Sequence, residues 1–421
     1  MKILQINKFY HIVGGVDRYF LELSKLLSEK GHDIVPFSMQ HPLNYKTRWS
    51  KYFVPHSAFD TVKLSNGIHN FIQMIYNIEA RRRISALLDT FPADVAHVHQ
   101  IYHHISPSIL FELKRRRIPI VHTVGDYHLI SPHHNNLYHN GNICEVSKVK
   151  KFYKTVFHKC IKESYLASVA EATEQYVHHY LGFYQNTIDY YISPSAYLTK
   201  KLIEYQIPQE KIVQIPYFVY ANSFKINDAD RRYVLYFGRL SSEKGLDFLL
   251  TVAKLIPEIP IKIIGSGSEG VNLLKRVFKD QLKNVEVINR FIPENTLRKY
   301  VAECSFTVFP SLSYEIFGIS LLESFASGKP VITSRIGAFP EIVEDGIEGF
   351  LFETGNIRLC VKQIQKLWSD NTLCKTLGEN ARKRAVKQYN PQDHYDKLIA
   401  LYHKVVRQNS IIHEESVFKK H

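Results

Sequence analysis

Two carboxylates, Glu315 and Glu323, stand either side of a glycine in the stretch YEIFGISLLESFASGKPVI (residues 314–332). Such a pair could flank a sugar bond as acid and base, bind hydroxyl groups, or lie solvated on an amphipathic helix. The neighbouring residues narrow the choice. The apolar run FTVFPS ends just before Glu315, and Ile316, Phe317 and Gly318 then form a turn into a helix expected over 319–327. A helix start offers free N–H groups and partial positive charge to a phosphate. Glu323, in the first turns of that helix, is placed to accept two vicinal ribose hydroxyls, and Glu315 to reach a second hydroxylated group. A second stretch, FGRLSSEKGLDFLL (237–250), sets Arg239 and Lys244 in the loop between a strand and a helix. In open α/β sheets ligands bind beyond the carboxyl ends of the strands. Two cations there can neutralise a diphosphate, with the arginine forking onto two oxygens.

Other motifs carry less. GSGSEG (265–270) matches the dinucleotide-binding glycine pattern after a strand and before a helix. It does not open its domain, however, and no acid is clearly placed about 20 residues on. A tight strand-to-helix turn is therefore the expected role, and a nicotinamide oxidoreductase the weaker alternative. DAD (228–230) sits in a polar stretch with no strand to deliver it to a pocket, and the histidines of HVHQIYHH (97–104) point to opposite faces. Neither has a good metal-ligand spacing, so no metal site is expected.

Apolar runs alternating with helical patterns through both halves must position these groups, the signature of parallel sheets covered by helices. KILQI, DIVPFSM, ADVAHVH, PIVHTV and DYYISPS read as strands of the first half, with a glycine turn (13–15) leading into a helix that Gly31 closes. The His-rich, basic and aromatic stretch 126–165 reads as loop with helices. YVLYFGRL, IKIIGSG, VEVINRF, FTVFPS and PVITS repeat the pattern beyond a polar linker at ANSFKINDADRR (221–232), and 393–408 is one more amphipathic helix. The 421 residues suit two domains, taken as 1–218 and 219–390 with the tail 391–421.

Five cysteines make no disulfide framework and point to a reducing compartment. The N-terminus MKILQINKFY is strand-like, with neither a signal sequence nor a spanning segment. A cytoplasmic protein is expected. The net charge of +14 is spread over both halves: 25 Lys/Arg against 17 Asp/Glu in residues 1–218, and 29 against 23 beyond. Runs at 81–83, 114–117 and 148–151 are either solvated helix faces or attractors for anionic lipid or polyphosphate. No nucleic-acid module is present.

Nearly the whole chain resembles the retaining glycosyltransferases of family 4. The matching segments are GGVDRYFLELSKLLSEKGHDI (14–34), DVAHVHQIYHHISPSIL (94–110), ISPSAYLTKKLIEYQI (192–207), YFGRLSSEKGLDFLL (236–250) and PSLSYEIFGISLLESFASGKPVITS (310–334). The resemblance implies a GT-B fold, two Rossmann-like domains with parallel sheets facing a central cleft. The first domain would bind the acceptor and the second the nucleotide sugar, with the terminal helix crossing back onto the first.

It also implies roles. Arg239 and Lys244 would hold the donor diphosphate, backbone around Ile316, Phe317 and Gly318 would complete the cradle, and Glu323 would bind ribose. Glu315 would bind the transferred sugar. Gly14 and Gly15 would approach the donor phosphates, and Gly265 and Arg290, the latter within VINRF, would lie on the donor side near the base. Retention by front-face attack, without a protein nucleophile, metal or cofactor, would follow. The partners would be a UDP- or GDP-linked sugar and a glycan or lipid-linked glycan of a surface polysaccharide, handled at the inner face of a membrane with anionic lipid in peripheral contact.

The sequence departs from the family pattern in three places. Gly125 stands where the family has a histidine, within VHTVGDYHLISP (121–132), leaving His122, Asp126 or His128 to serve near the reacting centre. Two readings stay open, an active transferase and a weak or inactive homologue that binds nucleotide sugar or glycan. Cys144 and Cys160 remain where relatives carry more cysteines, with Ser131 and Ser147 at the other places. PYFVY (216–220) replaces an Asn-Gly turn near the hinge with aromatics.

Overall fold

The computed structural model describes residues 1–56, 64–133, 137–226 and 231–418, so the Asp228–Asp230 stretch lies outside the described residues. The first half contains β1 (Lys2–Ile6), α1 (Gly15–Glu29), β2 (Asp33–Phe37), α2 (Leu64–Ile75), α3 (Ile78–Thr90), β3 (Val95–Val98), α4 (Ser108–Arg115) and β4 (Ile120–Thr123). A small hairpin of β5 (Tyr138–His139) and β6 (Asn142–Ile143) follows. Then come α5 (Lys154–Phe157), α6 (Tyr165–Tyr180), β7 (Tyr190–Ser193), α7 (Ala196–Glu204) and β8 (Ile212–Gln214). The stretch expected as loop with helices is thus hairpin, short helix and the start of a long one.

The second half contains β9 (Val234–Phe237), α8 (Leu246–Leu255), β10 (Ile261–Gly265), α9 (Gly270–Lys279), β11 (Val285–Asn289), α10 (Glu294–Glu303) and β12 (Phe306–Phe309). It continues through α11 (Ile319–Ala326), β13 (Val331–Ser334), α12 (Phe339–Ile342), β14 (Gly349–Phe352), α13 (Ile357–Ser369), α14 (Asn371–Gln388) and α15 (Pro391–Phe418).

Six strands form each main sheet, in the orders β2-β1-β3-β4-β7-β8 and β11-β10-β9-β12-β13-β14, all parallel. Helices cover both faces, which is why the strands read as unbroken apolar runs. Alternate residues along a strand serve different cores. Ile3, Val95 and Val121 join the core beneath α1 and α15, whereas Leu4, Ala96 and Ile120 join the core on the opposite face.

Between the halves, PYFVY is buried rather than a flexible turn. Tyr217 lies 4.2 Å, ring to ring, from Tyr19 and packs edge-on to Phe317, while Phe218 packs on His394. The polar linker is partly docked too: Phe224 is buried under the guanidinium of Arg298. Helix α15 returns to the first sheet, where the hydroxyl of Tyr402 meets His97 Nδ1 at 2.6 Å and His394 meets the Tyr19 hydroxyl at 3.1 Å. The carboxyl ends of both sheets face one cleft.

Candidate active site

A cavity of about 370 Å³ opens between the halves, lined from both. The helix start and its glutamates form one wall. Gly318, at φ 125°, precedes α11 in a conformation that glycine adopts readily, and a Cβ there would sit 2.8 Å from Leu321 and Phe339. The first N–H groups of α11 have no partner within the helix. The residues that carry them line the cavity beside Ile316, Phe317 and Gly318. Phe317 itself is buried between Tyr217 and Tyr389, so it fixes the turn rather than presenting a ring.

Glu315 accepts from Lys244 Nζ at 2.6 Å and from the Ser311 hydroxyl at 2.6 Å. The ammonium is thereby aimed from the loop after β9 across to the start of α11. Arg239 is exposed in the cavity and has no ion-pair partner among the described residues. An unpaired guanidinium in a cleft is ready for an anion. Gly265 and Arg290 line the same side, with Arg290 exposed beyond β11. At Gly265 a Cβ would fall 1.8 Å from the Gly238 carbonyl oxygen, so this glycine serves strand-to-loop packing, as the tight-turn reading of GSGSEG has it.

The opposite wall is the turn before α1. Asp17, buried, accepts from the Gly14 N–H at 3.0 Å and from Asn7 at 2.9 Å, and burial pushes its carboxyl up from the usual range. Held this way, Gly14 and Gly15 reach the second half. A Cβ on Gly14 would lie 3.4 Å from the Arg239 guanidinium, and one on Gly15 would lie 3.2 Å from Ile319.

From the same helix, Arg18 pairs with the Glu323 carboxylate across the cleft. Asp126 also lines the cavity, its carboxylate taking Gln100 Nε2 at 2.6 Å, the Tyr102 hydroxyl, and the His128 N–H at 2.9 Å. Asp17, Arg18, Gln100, Tyr102, Ser311 and Tyr217 were not singled out by sequence. Their side chains act through the opposing half or through loops, and no local spacing reports that.

Two expected residues are not brought to the cavity: His128, buried and stacked on Tyr102, and His122. His122, on β4, does not line it; it is buried near the rings of Tyr184 and Tyr191, and burial drives its pKa down to about 4. Strand alternation explains this, since a residue three before the Gly125 position points below the sheet edge. Position 125 itself is constrained. A Cβ there would come within 2.9 Å of both methyls of Val16, in the turn opposite. A bare backbone is what that close approach requires, and β-branched Val16 has little freedom to yield.

Comparison with known proteins agrees with this arrangement. Residues 13–222 match the profile for Glycosyltransferase Family 4 and residues 221–384 that for Glycosyl transferases group 1. The chain belongs to glycosyltransferase family 4. Among family relatives, N-acetyl-alpha-D-glucosaminyl L-malate synthase of Bacillus anthracis is 25% identical over 94% of this chain and 96% of its own. O-antigen chain mannosyltransferase C of Escherichia coli is 22% identical over 96% and 98%. An uncharacterized glycosyltransferase of Methanocaldococcus jannaschii is 35% identical, but over only 38% of this chain and 45% of that one.

The GT-B fold is shared with sucrose-phosphate synthase from Thermosynechococcus elongatus, at TM-score 0.71 and 17% identity over 97% of this chain and all of that one. It is shared equally with Anabaena HepE, solved with UDP and glucose, at TM-score 0.69 and 15% identity over 96% and 100%. The fold and both profile matches are thus those of a glycosyltransferase.

Proposed function

We propose that this transferase moves a sugar, with retention and without a catalytic metal, from a UDP- or GDP-linked donor to a glycan or lipid-linked glycan of a surface polysaccharide. The observation that carries the reading is the convergence of Arg239, Lys244 and the free end of α11 on one cavity that Gly14 and Gly15 close from the other side. The donor half, residues 219–390, would hold the nucleotide, with Arg290 beside the base and Glu323 on the ribose. Residues 1–218 with 391–421 would hold the acceptor, where Asp126 faces the cavity. That an O-antigen chain mannosyltransferase is among the relatives, and that HepE was solved with UDP and glucose, supports the donor and acceptor classes.

In the reaction the bond between the anomeric carbon and the β-phosphate oxygen breaks, and the electron pair leaves with the nucleoside diphosphate. Arg239, Lys244 and the helix end meet that charge where it develops, which is the largest lever an enzyme has on such a step. Glu315 keeps Lys244 aimed and lies where the transferred sugar would sit. The acceptor hydroxyl attacks on the face being vacated, and its proton passes to a donor phosphate oxygen. Donor binding must also part Arg18 from Glu323, so the ion pair keeps the ribose position closed until a nucleotide arrives.

A panel of UDP- and GDP-sugars in EDTA, scored for binding and for nucleoside diphosphate release, tests this. Release from one donor names it. Binding without release, with candidate acceptors added, supports the inactive-homologue reading, and activity that Mg²⁺ alone restores overturns metal independence.

Membrane docking belongs to the same reading. The runs at 81–83 and 114–117 are largely neutralised: Arg81 and Arg115 pair with Glu112, Arg116 with Glu112 and Asp89, and Arg83 with Glu79. The surface of α5 and α6 is different. Phe157 is 74% exposed and Leu166 80%, with Tyr153, Tyr165 and Tyr180 also exposed among Lys150, Lys151, Lys154 and Lys159. Apolar and aromatic groups set among lysines suit an anionic interface, and no described helix is long and apolar enough to cross a membrane. Retention on phosphatidylserine vesicles, lost in Phe157→Ser/Leu166→Ser, is the expected result; binding indifferent to that pair and to the lipid charge excludes this surface.

A further inference from the structure

Beneath the acceptor side of the cleft, α6 carries Glu174 and His178 one turn apart, which sets them on one helix face. Glu174 is fully buried and neither carboxylate oxygen has a hydrogen-bond partner. Three imidazoles surround it: His103 Nε2 at 3.4 Å, His128 Nε2 at 3.9 Å and His178 Nδ1 at 3.8 Å. His103 comes from the loop after β3 and His128 from the loop after β4. One ligand atom each from His103, His128 and Glu174 can be chosen so that all lie within 4.8 Å of one another.

The separations to His128 and His178 are too long for hydrogen bonds, and that to His103 is long for one. They are close to those of donor atoms sharing one ion, since ligands about 2.0–2.1 Å from a tetrahedral centre lie about 3.4 Å apart. His178 sharpens the point. Its Nε2 meets the Ile75 carbonyl oxygen at 2.9 Å. A carbonyl only accepts, so the proton is on Nε2 and the Nδ1 lone pair faces Glu174, where it too lacks a partner. Two acceptors then confront each other in a dry pocket, an arrangement that a cation between them would satisfy. An imidazole tied through its other nitrogen to a backbone carbonyl is also how metal-ligating histidines are oriented.

We infer that His103, His128 and Glu174, with His178 alongside, form a structural site for a divalent transition ion, zinc being the one their nitrogen and carboxylate donors suit best. The ion would fasten the β3 and β4 loops to α6. Those loops carry Gln100, Tyr102 and Asp126 of the cleft, and Tyr102 stacks on His128 with ring centroids 4.1 Å apart. The site holds the acceptor wall in shape and takes no part in the bond exchange, which stays on Arg239 and Lys244. His103 Nε2 is hydrogen-bonded to Glu171 at 3.1 Å, so an ion ligated by that nitrogen would replace its proton, with Glu171 as the adjacent carboxylate. The competing account is a metal-free cluster in which protonated His103 is shared by Glu171 and Glu174.

The test uses the full chain. Protein stripped with a strong chelator is titrated with Zn²⁺ alone against a chromogenic zinc indicator, and metal content is read by elemental analysis. One equivalent at submicromolar affinity is expected, with Glu174→Gln and His128→Ala each at least about tenfold weaker. Cys144→Ser/Cys160→Ser should bind like the parent, which separates this site from the thiol pair 3.9 Å apart in the hairpin region. X-ray absorption of the zinc-loaded parent should show a nitrogen and oxygen shell without sulfur, a result that needs no variant to fold. No zinc uptake at micromolar concentration, a sulfur shell, or binding lost only in the cysteine variant overturns the assignment.

Discussion

At the scale of single residues, the cleft pairs Lys244 and Arg18 with carboxylates and leaves Arg239 without an ion-pair partner among the described residues. Lys244 is the clearest case, since Glu315 orients it and leaves its remaining donors to the proposed diphosphate. Lys244→Ala should lower kcat by about 10²–10³-fold, the usual cost of removing one preorganised donor to a developing anion, with nucleotide affinity falling less. Steady-state kinetics on the donor found in the panel would show the split. Gly125 gives a sharper test. Because Val16 occupies the space a side chain would need, Gly125→His alone should be less stable and no more active. Gly125→His/Val16→Gly should recover stability; an active, stable single variant would show that the turn yields more easily than its packing implies.

At the scale of elements, contacts between the halves use helix ends and buried acids. The start of α7 is capped by Glu341 of α12, which accepts from the N–H groups of Ala196, at 2.8 Å, and Tyr197. Ser195 meanwhile donates to the Ile316 carbonyl at 2.6 Å. Glu341→Ala should cost about 1–2 kcal/mol in urea unfolding, the range for losing a helix cap.

Helix α1 contributes a titrating group. Burial raises Glu22 to about 7, with Glu294 adding to the shift and Arg18 opposing it. The folded state therefore keeps a proton that the unfolded chain releases near its ordinary value of about 4.3. Stability from this group is full below that value and falls as pH rises through 7. Glu22→Gln should flatten the pH dependence between about 5 and 8 and stabilise the protein by about 1–2 kcal/mol at the upper end, as read from thermal midpoints across that range.

At the scale of the whole molecule, one core runs through both halves. It gathers Ile3, Tyr19 and Val121 with Phe317, Phe325, Leu398 and Tyr402. A single cooperative unfolding transition is the expected consequence, even though two sheets are present. Helix α15 is the clasp. The buried ring of His97 is satisfied at Nδ1 by the Tyr402 hydroxyl and at Nε2 by Thr123, at 2.6 and 2.7 Å. Tyr402→Phe removes the first without opening space and should cost about 1–3 kcal/mol, because a buried polar atom loses its partner. Two separated transitions in the parent, by calorimetry, would contradict the shared core.

Strands, helix starts and the grouping of several cleft residues were readable along the chain. Strands buried on both faces must be continuously apolar, and a phosphate cradle needs a glycine turn, a helix end and cations close together in the chain. Arg239, Lys244, Glu315 and Glu323 were legible for that reason. Tertiary structure decided what distant segments do to one another. It set Val16 against Gly125, turned His122 away beneath the sheet, paired Arg18 with Glu323, and brought histidines from two loops onto α6. The histidines of HVHQIYHH looked unsuited to a metal because their spacing is wrong within one strand. The groups that surround His103, namely His128 and Glu174, lie some 25 and 70 residues along the chain, and only a loop crossing over a helix can make such groups neighbours.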